Sequence, residues 1–365
     1  MAETTTATAE RVAQWDDQFF SEYVRTNRFK RYMGTDESAI IQIKENLTKK
    51  KGDSITINLI GALDASAGPN DGSTTLVGNE KALPNDGHQI KVGVVRDATV
   101  VNMAEEQASP IDIRNAGRVA LKDLCMRYLR NGVISALHRI NGVAYGSATE
   151  AQKDKWLTDN ADRVLFGAAK SNNAANDHSA CLANVDSTND KLTGPVVSLA
   201  KRMAQTAVTA NGDGIRPYTY GEDEETFVMF VPSTAFRDLR DWMVANDHWD
   251  RALERGPENP LWTGPTSILW DGVIVREIPE IKMLTGVGNT AIDVAPCFLC
   301  GAQALGIAWA QRTKSTVRAE DDYGFRNGVG FQEMRGIDKI RWNQDGANPV
   351  DWGVCTVYVS GVADA

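Results

Sequence analysis

The chain has 365 residues, 42% hydrophobic and 24% charged, with a formal charge of -9. This length fits two or three linked lobes, and the proportions are those of a globular protein, which excludes wholesale disorder. A net negative chain lacks the basic face of a dedicated DNA reader, although a container can enclose nucleic acid without gripping it.

Residues 1–50 read as an arm. Trp15, Phe19, Phe20, Tyr23 and Val24 recur at helical spacing, and Arg25, Arg28, Lys30 and Arg31 form a short basic cluster after them. Such a segment has little core of its own and packs on the body of the chain or on a neighbouring subunit. Residues 52–63 alternate Ile55, Ile57 and Leu59 with polar partners, the pattern of a half-buried strand. A polar excursion over residues 64–87 follows, broken by Leu76 and Val77. Alternation then returns at Ile90, Val92 and Val94, and Val100 with Met103 extends the apolar character. Two strands flanking so long an excursion predict a protruding hairpin that reaches across a subunit boundary or covers a site.

Ser109-Pro110 is a helix start, with Ser as cap, Pro in the first turn and Asp112 near the positive end. Apolar residues at helical spacing, among them Ile113, Leu121, Leu124, Tyr128, Leu137 and Ile140, predict a helix over residues 110–140. A helix this long and one-sided is suited to a spine. Gly194-Pro195 opens another helix with Val196, Leu199, Ala200, Met203 and Ala207 on one face. Residues 227–231 (Phe-Val-Met-Phe-Val) read as a central strand. Pro232-Ser233 starts a helix carrying Phe236, Leu239, Trp242 and Met243. Asp271-Gly272 between apolar runs predicts a tight hairpin. Phe298-Leu299 and residues 302–309 predict a further strand or short helix. The tail predicts a turn at Asn327-Gly328, a strand over residues 336–342 and an alternating strand at Val354, Val357 and Val359, closing a small sheet in the lobe of the long helix.

The chemistry is sparse. No apolar run approaches the ~20 residues that span a bilayer, and the Thr- and Ala-rich start has no apolar centre of a secretion signal. The five scattered cysteines (Cys125, Cys181, Cys297, Cys300, Cys355) fit a reducing cytoplasm, and Cys297 and Cys300 read as buried strand residues. The four histidines, His88, His138, His178 and His248, lie far apart, without a zinc-protease motif, and there is neither a nucleophile elbow nor a phosphate loop. Residues 186–190 are rich in oxygen ligands but lack the glycine and closing Glu of a calcium loop. Asp238 with Asp241, and Glu105 with Glu106, read as surface charges. No catalytic, cofactor-binding or metal-binding residues are assigned, no cofactor is expected, and the chain reads as not an enzyme.

Four stretches carry a family likeness. They are Gly52-Asp53-Ser54-Ile55-Thr56-Ile57-Asn58-Leu59 with Leu63 and Gly78-Asn79-Glu80; Pro232 with Asp238-Leu239-Arg240 and Trp249; Asn259-Pro260-Leu261-Trp262-Thr263-Gly264 leading into Asp271-Gly272-Val273-Ile274-Val275; and Leu299-Cys300-Gly301-Ala302-Gln303-Ala304-Leu305-Gly306. Their order and spacing resemble the major capsid proteins of the phage N4-like family, which share the fold of the head protein of phage HK97.

The resemblance implies an α+β fold with an N-terminal arm (residues 1–51), an extended β-hairpin loop (52–103), a peripheral domain with the spine helix (104–144), a compact axial domain (145–310) and a C-terminal return to the peripheral domain (311–365). It implies a non-catalytic major capsid protein that self-assembles through hexamers and pentamers into the icosahedral head of a tailed bacteriophage around double-stranded DNA. Its partners would be copies of itself, a separate scaffolding protein, a portal and a decoration protein. DNA would be near but not specifically bound, and no membrane would be involved. The protein would reside in the virion shell after assembly in the host bacterial cytoplasm. One relative forms Lys–Asn crosslinks, for which Lys81 is a conceivable donor here.

Overall fold

The computed structural model describes residues 27–45, 52–66, 68–70, 72–73, 75–109, 111–209, 211–221, 224–246, 266–317 and 325–363. In chain order the strands β1 (Met33–Gly34), β2 (Ile41–Lys44), β3 (Ser54–Ile60), β4 (Asn85–Lys91) and β5 (Gly93–Asn102) precede helices α1 (Met103–Ala108), α2 (Ile113–Leu137) and α3 (Glu150–Asp159). There follow β6 (Val164–Phe166), α4 (His178–Ala183), α5 (Gly194–Thr206), β7 (Thr219–Gly221), β8 (Glu224–Val231), α6 (Ser233–Ala245), β9 (Ser267–Trp270), β10 (Val273–Glu277) and β11 (Val294–Cys300). The last elements are β12 (Leu305–Val317), β13 (Arg326–Lys339), β14 (Arg341–Trp342), β15 (Val350–Asp351) and β16 (Val354–Ser360). The chain divides into a larger unit (Arg28–Gly93, Arg130–Ala310 and Arg335–Ala365) and a smaller one to which Val94–Leu129 and Gln311–Met334 belong.

The larger unit is built on a seven-stranded sheet in the order β6-β16-β11-β8-β10-β9, with β7 beside β8. Strand β8 pairs antiparallel with β11 and parallel with β10. Successive side chains of a strand point to opposite faces, and both faces of this sheet are covered. On one face Leu165, Met229, Val231, Leu299 and Val357 pack with α5 and α6 through Val196, Ala200, Met203, Phe236 and Leu239. On the other, Val164, Phe166 and Tyr358 pack with α3 and α4 through Trp156, Leu157, Cys181 and Leu182. A strand enclosed on both sides reads as a continuous apolar run, which is why residues 227–231 stand out in the sequence.

Both helix starts are as expected: α5 begins at Gly194 with Pro195 in its first turn, and α6 begins at Ser233 after Pro232. Asp271 (φ 47°) and Gly272 (φ 72°) both take the left-handed conformation that a two-residue hairpin turn needs, and they join β9 to β10.

Strands β3 and β4 form the expected hairpin, in the register Ile55 with Ile90 and Leu59 with Asp86. Its buried face, Ile55, Ile57, Leu59 and Ile90, packs on Ala308 and Ile340. Each such side chain removed from water contributes roughly 1.5–3 kcal/mol. Of the arm, residues 27–45 are described. Phe29 and Tyr32 are buried with rings 4.9 and 5.4 Å from that of Phe230, and β2 adds parallel to β12. This part of the arm therefore packs on the body of its own chain. Trp15, Phe19, Phe20, Tyr23, Val24 and Arg25 lie outside the described residues.

In the smaller unit β12, β13 and β5 lie side by side in that order. The core there is thin: Leu121, Val329 and Phe331 are buried, with Val95, Leu124 and Cys125 packed against them.

The structure corrects several sequence expectations. Helix α2 runs over Ile113–Leu137 rather than residues 110–140, so its 25 residues span about 37 Å. Its first turn is capped by Asp112, whose Oδ1 accepts the Asn115 N–H at 2.9 Å, while Ser109 Oγ accepts only the Ile111 N–H. Pro110 lies outside the described residues. Met103 opens the short helix α1. The first hairpin strand ends at Ile60 and the second starts at Asn85, which shifts the polar excursion from residues 64–87 to residues 61–84. Asn327 and Gly328 lie within β13 and form no turn. The tail's last strand, β16, does not close a small sheet with the long helix. It sits between β6 and β11 in the seven-stranded sheet, with all of its residues buried.

Candidate assembly surfaces

The reactive groups of the chain are mostly locked into packing. Cys297 and Cys300 are buried in β11. They are three residues apart on one strand, so they face opposite sides and form no redox pair. Burial pushes both thiols up, and Cys355 to about 12, which leaves them inert at neutral pH.

Sequence reasoning missed a cluster around Tyr358. The His138 ring stacks on Tyr145 at 3.9 Å, and its Nε2 lies 3.2 Å from the Tyr358 hydroxyl. His178 meets the same Tyr358 edge-on at 5.7 Å. Burial lowers the imidazoles to about 3 for His138 and about 4 for His178, so both are neutral at pH 7. No local pattern marks this cluster, because 40 residues of sequence separate the two histidines. His88 lies elsewhere, 3.6 Å from Asp338, and His248 is outside the described residues.

The oxygen-rich stretch at residues 186–190 organises its own loop. Asp190 Oδ1 accepts the Ala168 N–H and Asn172 Nδ2–H, and its Oδ2 accepts the Asp186 N–H. Asp238 is not a surface charge. It is 6% exposed and accepts two hydrogen bonds from Arg237, and burial still holds its carboxyl above the usual range. Asp241 is exposed as expected.

The β3–β4 loop has the opposite character. The Gly61 N–H closes its base on the Pro84 carbonyl at 2.9 Å. Lys81 Nζ donates to the carbonyls of Asp64 (2.6 Å) and Gly68 (3.2 Å), and Asn79 Nδ2 donates to Thr75 O, so the loop is braced from within. The Lys81 ammonium is thus an internal strut. Outside this bracing the loop shows apolar side chains to water: Leu63, Leu76, Val77 and Leu83 are all more than half exposed, with Val77 at 81%. The base of the hairpin is packed, and the loop projects apolar groups.

The smaller unit also leaves apolar groups in solvent. Not one residue of β5 is buried, and Val94, Val100, Met103 and Val317 are each at least half exposed. Apolar side chains left exposed beside a thin core are groups that association with another surface would cover. No described helix is long and apolar enough to cross a membrane.

The family model described as "Phage capsid protein" matches residues 3–363. The chain belongs to the phage capsid protein family. Among solved structures, the capsid asymmetric unit of cyanophage Pam1 is 29% identical with a TM-score of 0.88, over 100% of both chains. The capsid of Ralstonia phage GP4 is 19% identical with a TM-score of 0.76, again over 100% of both chains. The acidic stable capsid structure of Helicobacter pylori bacteriophage KHP30 is 11% identical with a TM-score of 0.70, over 97% of this chain and 96% of that one. No curated protein matches the chain. A phage capsid protein is a structural component and not an enzyme, and this one has the mixed α+β fold of phage capsid structures.

Proposed function

We propose that this chain is the major capsid protein of a tailed bacteriophage, of the N4-like group with the HK97-type fold. It assembles through hexamers and pentamers into an icosahedral head around double-stranded DNA. In this reading residues 52–103 supply the extended loop, α2 is the spine of the peripheral domain within residues 104–144, and residues 145–310 form the axial domain. Residues 1–51 are the arm. Residues 311–365 return to the peripheral domain except for β16, which belongs to the axial sheet.

The observation that carries the proposal is the β3–β4 loop. It is braced internally, anchored at its base, and presents Leu76 and Val77 to solvent. A neighbouring copy that covers these side chains removes the hydration cost that the isolated chain bears. With a formal charge of -9 the shell encloses DNA without gripping it. A separate scaffolding protein, a portal and a decoration protein complete the assembly, which takes place in the host bacterial cytoplasm and ends in the virion.

The test is co-expression with the scaffolding protein, followed by size-exclusion chromatography and electron microscopy. Closed particles of uniform diameter are expected. A compact monomer at every concentration, with amides of residues 61–84 protected from hydrogen exchange, would overturn the reading.

A further inference from the structure

The tip of the β3–β4 loop is a built turn. The Asn79 N–H donates to the Leu76 carbonyl at 3.0 Å, which puts Val77 and Gly78 at the corner. Gly78 takes φ 87°, as the second corner residue of a type II turn requires. Asn79 Nδ2 donates to Thr75 O at 2.7 Å, and the Gly78 N–H donates to Glu80 Oε2 at 2.7 Å. All of these bonds lie within residues 75–80. They shape the tip without fixing where it points.

Direction needs ties between the two arms of the loop. A second turn stands on the arm that leaves β3, closed by the Gly68 N–H on the Ala65 carbonyl at 3.0 Å, with Gly68 at φ 71°. The carbonyls flanking it, those of Asp64 and Gly68, both accept from Lys81 Nζ, at 2.6 and 3.2 Å across 17 and 13 residues of sequence. A single ammonium therefore ties the arm that carries Leu76 and Val77 to the arm that leaves β3. A further tie across the loop, from Asn70 Nδ2 to Asn79 O, is longer at 3.4 Å, and the Gly61 N–H on Pro84 O closes only the base.

We propose, resting on the loop as the clamp between copies, that Lys81 is its positioning residue. It holds Leu76 and Val77 in the direction that docks before any neighbour is met, and it touches only its own loop. A loop over residues 61–84 without this brace samples many directions and must be ordered at the moment of docking, which weakens association. A neighbour meets only the fraction of loops already aligned, so loosening the brace raises the apparent Kd by the inverse of that fraction. The brace lies in water, where one hydrogen bond has a modest net effect. A closed shell multiplies it, because every copy offers the same loop.

The test compares the full-length parent with Lys81→Ala and Lys81→Arg in two assays. One is chymotrypsin cleavage within residues 61–84 of the isolated chain, which reads how often the loop opens. The other is the lowest protein concentration at which shells form with the scaffolding protein. Lys81→Ala should be cut about fivefold faster and need about fivefold more protein, the equivalent of one ordinary hydrogen bond. Its melting temperature should match the parent, since the side chain is exposed. Lys81→Arg keeps donors on a long stem and should stay within about twofold of the parent in both assays. Equal cleavage and an equal threshold for Lys81→Ala would overturn the proposal. So would a raised threshold with unchanged cleavage, because Lys81 would then act on the neighbour, and so would faster cleavage with an unchanged threshold. A parent that forms no shells, or a chain lacking residues 64–83 that still forms them, would instead sink the clamp itself and this role of Lys81 with it.

Discussion

Lys339 Nζ and Asp351 Oδ2 lie 2.6 Å apart with 1% of either side chain exposed. The same Asp351 oxygen accepts the Trp156 indole N–H at 3.1 Å, the Lys339 ammonium lies 5.3 Å from the Trp156 ring centre, and the Asp351 N–H donates to Asn160 Oδ1 at 2.8 Å. This pair joins β13 to β15 and to α3 inside the larger unit. Removing one partner strands the other charge in a medium that does not solvate it. Lys339→Met should therefore cost about 3–5 kcal/mol, whereas Lys339→Met with Asp351→Leu should recover much of that loss. Urea unfolding of the three proteins checks it. A single variant no less stable than the double would contradict the account.

Stability should fall in acid, in two windows. The unfolded chain protonates its His138 near pH 6.5, but the folded chain resists until about pH 3 because burial, reinforced by the Lys339 charge, keeps the imidazole neutral. The unfolded state therefore binds more protons between those values, and folding weakens as pH falls from 6.5 toward 3. Asp338 acts at lower pH. Burial pushes its carboxyl up, but the nearby His88 imidazole, 3.6 Å away, and the charges of Arg341 and Arg139 outweigh this and hold it at about 2. Its contribution is whole above 3.8 and is lost as pH falls through 2. Denaturant midpoints measured from pH 8 to 2 should hold down to about pH 6.5 and decline below it. In His138→Phe the decline between pH 6.5 and 4 should become shallower, with buried His178 supplying the remainder, and an unchanged slope there would rule His138 out as a source.

Deletion of residues 64–83 should leave a folded subunit that fails to close shells. The segment spares β3 and β4, whose buried face on Ala308 and Ile340 holds the hairpin base in place. Replacing Leu76 and Val77 with Asp tests the same surface without shortening the chain, because both side chains are exposed in the isolated subunit. Unchanged circular dichroism with few or no particles by electron microscopy is expected. Particles of normal size and yield from either variant would exclude the loop as the clamp.

Gly194 opens α5 under two indole rings. A Cβ built there lies 2.5 Å from Trp242 and 2.7 Å from Trp270, whose rings meet edge-to-face at 5.3 Å. Gly194→Ala should force the pair apart, cost roughly 1–3 kcal/mol and shift the tryptophan emission. A melting temperature and spectrum equal to the parent would mean that the rings yield freely.

Elements with one wet face were legible in the sequence. Ile55, Ile57 and Leu59 alternate with exposed partners, so β3 could be read by eye. The starts of α5 and α6 were marked by Pro195 and Pro232, whose geometry acts locally. Strand β16 was visible as a strand but its destination was not. Every residue of Val-Cys-Thr-Val-Tyr-Val-Ser is buried, so no wet face shows which neighbours it joins. Asp238 looked like a surface charge because an Asp beside an Arg reads the same whether or not another layer covers it.

The sequence by itself determined the local units: the hairpin, the Asp271-Gly272 turn, the helix starts and the absence of any contiguous catalytic motif. These depend on backbone preference and on a period of exposure along a few residues, and both are written into adjacent positions. Only the tertiary structure decided that β16 inserts between β6 and β11 and that His138 and His178 converge on Tyr358. It also decided that Lys339 finds Asp351. Each of these depends on desolvation by distant parts of the chain, which leaves no periodic trace along the sequence.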